Sequence, residues 1–194
     1  TTNYFFIDRT VVPSGGATEV NVSVPSSSVD PNNGTYKHLF CFASLASDSS
    51  SAQRCTLSFR FNGDFGTNTY KWNNSNQRNA FTTASRAVYG AQSNQYIQDL
   101  PCTGHANIHE DHRMHMRIYV PQAWSTSIQK VMFHENGSTQ TDSGSGGAAS
   151  DVWTSGLGTS RYYMTAKVTS LDFIAEYGDI VEGSTFDLYG ISVN

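Results

Sequence analysis

The chain has 194 residues, 14% of them charged, 38% hydrophobic and 12% aromatic, with a formal net charge of -4. That length suits one sizeable domain, and 11 Phe, 10 Tyr and 3 Trp are too much to bury for a disordered acidic chain. Ser, Thr, Asn and Gly in place of Ala, Glu, Lys and Leu exclude a helical bundle, twelve cations on an acidic chain leave no footprint for nucleic acid, and no apolar run is long enough for membrane insertion.

The first residues, Thr1-Thr2-Asn3, show no basic stretch followed by an apolar one, so no signal peptide is visible. Beyond them the dominant period is two. Val20, Val22 and Val24 alternate with Asn21 and Ser23. Leu57, Phe59 and Phe61 alternate with Ser58 and Arg60. Met114, Met116, Ile118 and Val120 alternate with His115, Arg117 and Tyr119. Each pattern predicts a half-buried strand. Further strands are expected at Tyr4–Ile7, His38–Leu45, Tyr70–Trp72, Ile128–His134, Ala166–Ile174 and Ser184–Ile191.

Breaker clusters separate them: Pro13-Ser14-Gly15-Gly16, Asp30-Pro31-Asn32-Asn33-Gly34, Asn62-Gly63 and Asn136-Gly137. Asn62-Gly63 is a strong turn signal, since both residues tolerate positive φ. Ser47–Gln53 and the Gly/Ser-rich Gly137–Ser150 read as exposed loops. No stretch has convincing helical spacing, and Ala80–Tyr89 is the best place for a single turn of helix. Eight or nine punctuated strands predict an all-β chain. The expected fold is an antiparallel β-sandwich, jelly-roll-like and with little helix, forming one domain over residues 1–194.

Cys41, Cys55 and Cys102 are odd in number and irregular in spacing, which argues against a disulfide scaffold. They read as small buried hydrophobes, with a Cys41–Cys55 pair open if their strands are adjacent.

Phe59-Arg60-Phe61-Asn62-Gly63-Asp64 followed by Tyr70, then Val152-Trp153, Val168-Thr169-Ser170-Leu171 and Gly183-Ser184-Thr185-Phe186-Asp187-Leu188-Tyr189-Gly190-Ile191 form a series. It resembles small tailed-bacteriophage virion accessory proteins, which carry an "FNGD…Y" hairpin and a C-terminal "GSxFxLYGI" strand. The resemblance covers residues 55–194, leaving the strands of residues 1–54 outside it. It implies a β-sandwich attached to a phage head or tail. The residues themselves read as structural: a tight turn capped by Asp64, a turn at Gly183, inward Phe186 and Leu188, and a close backbone approach at Gly190.

The densest chemistry lies in Cys102–Arg117, with four of the 6 histidines. His109-Glu110-Asp111-His112 is one residue short of the zinc-hydrolase spacing and precedes a strand instead of lying on a helix. His109, His112 and His115 remain weak metal candidates, by convergence of subunits around an axis. No G-x-S-x-G elbow is present. Asp64, Glu110, Asp111, Asp172, Glu176, Asp179 and Glu182 are read as solvated carboxylates, not as a glycosidase pair. Trp72 and Trp153 are weak candidates for stacking on a sugar, and Trp124 shares their chemistry.

The expected function is therefore non-enzymatic, without cofactor: a virion protein, assembled in the reducing host cytoplasm, that decorates or cements a phage head or forms part of a fibre or tail. Its partners would be capsid or tail proteins and further copies of itself, a trimer by analogy with virion appendages. The alternative is an adhesin that presents loops to host-surface glycans.

Overall fold

Alternation in the sequence becomes alternation of burial. Val20 and Val22 are buried between exposed Glu19, Asn21 and Ser23. From Met114 to Val120 the even-numbered side chains face inward, while His115 and Arg117 face out. A computed structural model of the chain describes residues 2–26, 29–30, 34–48, 55–66, 70–80, 83–94, 97–102, 113–142, 150–176 and 178–193.

Among them are fourteen strands and no helix. In chain order these are β1 (Thr2–Val11), β2 (Glu19–Ser23), β3 (Val29–Asp30), β4 (Gly34–Thr35), β5 (His38–Leu45), β6 (Cys55–Phe61) and β7 (Tyr70–Ala80). There follow β8 (Thr83–Asn94), β9 (Ile97–Cys102), β10 (Met114–Val120), β11 (Lys130–Asp142), β12 (Ser150–Tyr162), β13 (Ser170–Ala175) and β14 (Thr185–Val193). The larger sheet has eight strands in the order β1-β14-β5-β10-β11-β12-β7-β8. The smaller has four, β2-β13-β6-β9, and β3 with β4 makes a short ribbon.

All ladders are antiparallel, and the pairing is nested. The first strand pairs with the last, from Thr2↔Val193 to Val11↔Thr185. β2 pairs with β13, β5 with β10, and β6 with β9. Two hairpins, β7–β8 and β11–β12, then widen the larger sheet beyond β10.

Polar strands account for what the sequence reading missed. The predicted helical turn at Ala80–Tyr89 is instead the end of β7 and the first half of β8. The predicted loop Gly137–Ser150 is strand up to Asp142, paired with Ser150 of β12, and its remainder lies outside the described residues. These segments carry Asn, Ser, Thr and Gln in place of apolar alternation. Backbone hydrogen bonds to neighbouring strands hold them, and such bonds leave no hydrophobic period to read. The strand expected over Ala166–Ile174 begins only at Ser170.

The core lies between the sheets. Leu39, Cys41, Ala43 and Leu45 of β5 and Met114, Met116, Ile118 and Val120 of β10 face Leu57, Phe59 and Phe61 of β6 and Leu171 and Phe173 of β13. Phe173 meets Phe186 across the gap at 4.6 Å between ring centroids, and its ladder neighbour Phe59 within the same sheet at 5.2 Å. Each such buried side chain contributes about 1.5–3 kcal/mol.

Asn62-Gly63 and Gly183 turn as expected, whereas the predicted breaker Asn136-Gly137 lies inside β11, opposite Met116 and His115. Asn62 and Gly63 have φ of 58° and 63°, and the N–H of Asp64 donates to the carbonyl of Phe61 at 3.0 Å, but β6 and β7 lie in different sheets, so this tight turn does not close the expected hairpin to Tyr70. Gly183 has φ +73°, which a side chain would resist. Gly190 differs: the group close to it is the ring of Tyr36 and not a backbone, and a Cβ there would lie 2.4 Å from Tyr36 Cδ1.

Candidate functional site

The "FNGD" turn and the strand Ser170–Ala175 are locked together from inside. Asn62 accepts the N–H of Thr169 at 2.7 Å and donates to the carbonyl of Lys167 at 2.9 Å. Fully buried Asp172 accepts the N–H of Gly63 at 2.7 Å and the hydroxyl of Ser170 at 3.2 Å, and also the amide of Asn21. Arg60 stands 3.7 Å from it, pairs with Glu19 and covers the ring of Phe65. Asp64 accepts the N–H of Gly66 at 2.8 Å and the hydroxyl of Tyr162 at 2.8 Å. Tyr70 accepts the N–H of Phe61 at 3.0 Å. Burial raises the pKa of both tyrosines, so both stay protonated hydroxyls. This is a structural clasp, and it spends the carboxylates of Asp64 and Asp172 on the fold.

Among the described residues, the other sequence candidates are not brought together. His115 is exposed on β10, its ring stacked on Phe42 at 5.7 Å. His109, His112, Glu110 and Asp111 lie outside the described residues. Among the described residues no group of three or more His, Cys, Asp or Glu is arranged to hold a metal ion. Trp72 is opposite Ser160 in the β7–β12 ladder and Trp153 opposite Asn79, seven positions along. Trp124 donates its indole N–H to Pro25 at 3.0 Å and packs near Tyr36. Glu176 accepts the hydroxyl of Ser58 at 2.6 Å, and Glu182 offers Arg113 its carbonyl. Asp179 donates its backbone N–H to the carboxylate of Asp48 at 2.6 Å.

A surface absent from the sequence reading stands out instead. On the outward face of the larger sheet, Tyr4 and Phe6 of β1 are 60% and 56% exposed, Phe133 of β11 is 45% and Leu157 of β12 is 65%. Phe40, Tyr119 and Tyr189 lie among them. Tyr4 meets Phe40 edge-on at 6.0 Å, Phe40 meets Tyr189 at 6.3 Å, and Tyr119 meets Phe133 at 6.2 Å. A groove of about 610 Å³ runs over these rings. Two ion pairs stand in one cross-strand row on either side of Phe42, the second of them lining the groove. Arg9 grips Asp187 through two nitrogens at 2.5 and 2.8 Å, and Arg117 meets Glu135 at 3.2 Å.

Partial burial, and then the nearby Tyr4, raise the pKa of Tyr119, which keeps its phenol a donor. Burial and then Lys37 lower that of His38, whose Nδ1 accepts the N–H of Gln122 at 3.0 Å. The floor is thus neutral and apolar, with the two ion pairs in one cross-strand row beside it. It can cover apolar surface and hydrogen-bond a polar rim. The signal for it was present in β5: Phe40 and Phe42 are apolar at the positions opposite Leu39, Cys41 and Ala43. A strand apolar on both faces is either covered twice or exposes one face.

No family model matches the chain, and neither does any curated protein or solved structure.

Proposed function

We propose that the chain is a non-enzymatic structural protein of a tailed-phage particle, attached to the head as a decoration, cement or fibre component or to the tail. The observation that carries this reading is the aromatic outer face of the larger sheet. Contiguous exposed apolar surface of this kind, rimmed by charge, is characteristic of a contact between proteins. The strand order supports it. Nested pairs that alternate between two sheets support reading the sandwich as a jelly roll, an architecture that viral capsid and lectin domains share. The resemblance of Phe59–Asp64 and Gly183–Ile191 to virion accessory proteins points the same way. The fold alone chooses no function, so the weight rests on the face.

In this reading the partners are capsid or tail proteins and further copies of the chain in a symmetric oligomer, such as a trimer. The protein assembles in the host cytoplasm and ends in the virion. Aromatic anchors supply the contact energy, and repeated sites on the particle multiply it. Mass spectrometry of gradient-purified particles tests the reading. The chain at a fixed ratio to capsid or tail proteins supports it, and its absence from intact particles removes it.

A second reading, a host-glycan adhesin, draws on the Arg117–Glu135 pair beside the rings. Aromatic faces stack on the C–H faces of pyranoses while a guanidinium and a carboxylate bind their hydroxyls. Saturable binding on a glycan array, lost in Phe133→Ala, would favour it over particle attachment.

A further inference from the structure

Cys55 and Cys102 are direct partners in the antiparallel β6–β9 ladder. Direct partners in such a ladder have Cα atoms about 4.5 or about 5.5 Å apart, depending on the hydrogen-bonding register. Both values fall in the usual disulfide window of about 4.4–6.8 Å. Direct partners also project from the same face of the sheet.

We propose that Cys55 and Cys102 form a cross-strand disulfide, made when the chain meets an oxidised low-molecular-weight disulfide. The third cysteine stands apart. Cys41 is on β5, at the centre of the other sheet, buried and free. Burial raises its thiol pKa, so it holds no thiolate with which to exchange. This also settles the pairing that the sequence left open: the partner of Cys55 in register is Cys102.

The step balances as two thiol–disulfide exchanges. The thiolate of one cysteine attacks the small disulfide, forming a mixed disulfide and releasing one small thiol. The second cysteine displaces the other small thiol, closing the S–S bond. Two electrons pass to the small disulfide, and the two protons end on the released thiols.

The ladder gives the bond a purpose. β9 is an edge strand of the smaller sheet, with β6 its one ladder partner among the described strands. The ladder is short and irregular, with a register shift between Leu57 and Phe59. Pro101, opposite Thr56, brings no N–H to it. A covalent link at its end closes a long segment that contains the whole β7–β8 hairpin, the case in which a cross-link most restricts the unfolded chain. In a reducing compartment the two thiols stay free. In an oxidising medium the strand is fixed.

The full chain, purified in reductant, is treated with oxidised glutathione, quenched in acid, then unfolded and alkylated. The expected result is one alkylated thiol, Cys41, against three in the untreated protein, with a peptide pair linking Cys55 to Cys102. Oxidation should raise the melting temperature by about 5–15 °C. That rise should vanish in Cys55→Ser/Cys102→Ser. Three alkylated thiols after oxidation, or a cross-link through Cys41, overturns the proposal. Should the double variant fail to fold, the peptide map of the natural chain decides alone.

Discussion

The carboxylate of Asp172 accepts the backbone N–H of Gly63 at 2.7 Å, tying the turn after β6 to the middle of β13. Two segments 109 residues apart thereby become one unit. The same carboxylate serves Asn21 and Ser170 and faces Arg60. Replacing it with Asp172→Ala leaves these buried donors without an acceptor and strips Arg60 of one of its two carboxylates, Glu19 being the other. The expected loss is about 3–5 kcal/mol. Urea unfolding measures it, and a loss under about 1 kcal/mol would show the clasp to be ornamental.

Gly190 and Tyr36 make a second, purely steric pair. A methyl group at residue 190 would meet three ring carbons at 2.4, 2.5 and 2.8 Å. Gly190→Ala is expected to cost about 1–3 kcal/mol through overpacking. The cost should shrink in a Tyr36→Leu background, where the ring is gone. Additive effects of the two changes in thermal melts would contradict the contact.

His134 gives stability an acid dependence. It is buried on β11 with neither ring nitrogen hydrogen-bonded, and burial pushes its pKa down to about 4 from 6.5. Below 6.5 the unfolded chain takes up a proton that the folded chain refuses until about 4. Folding stability therefore falls as the pH drops through that window and is fully present above it. The loss attributable to this group is roughly 2–4 kcal/mol. Denaturant midpoints at pH 7.5 and pH 4.5 should converge in His134→Phe, and an equal pH dependence in both proteins would assign the acid sensitivity elsewhere.

The aromatic face separates association from stability. Leu157 and Phe133 are exposed, so Leu157→Asp with Phe133→Asp should change the unfolding free energy by under about 1 kcal/mol. Binding to particles, or the oligomeric state seen in sedimentation, should drop at least tenfold. Unchanged association in this variant would move the contact to another surface.

Lys130 is a buried cation held by carbonyls. Its ammonium donates to Ser125 at 2.6 Å, Ile128 at 2.9 Å and Thr165 at 3.2 Å. It joins the loop before β11 to the loop after β12. Lys130→Met keeps the stem but leaves three carbonyls short of a donor, a cost of about 2–4 kcal/mol. Faster hydrogen exchange confined to residues 121–129 and 163–168 is the expected signature, and protection equal to that of the natural chain would count against it.

What the sequence made legible follows from what buries apolar area. Val20–Val24, Leu57–Phe61 and Met114–Val120 each turn one apolar face to the core, so their period of two is visible without the fold. Asn62-Gly63 was legible because its backbone angles are a local matter. The polar strands β7, β8 and the outer parts of β11 and β12 were not, since a ladder needs only amides. The contact of Tyr36 with Gly190 was hidden too, because it joins residues that meet only after folding. The outer face was half visible: β5 shows apolar residues at both parities, but the neighbours Tyr119, Phe133 and Leu157 come from strands whose order only the topology supplies.

The nested ladder that sets Thr2 beside Val193 has an architectural outcome. Residues 2 and 193 lie at one corner, on an edge strand and its immediate neighbour. A tag or tether at either end departs from the same side, away from the opposite edge at β8. A few added residues would bridge the two ends into a circle, and the ring could then be reopened at an exposed turn such as Gly15-Gly16 with every ladder kept.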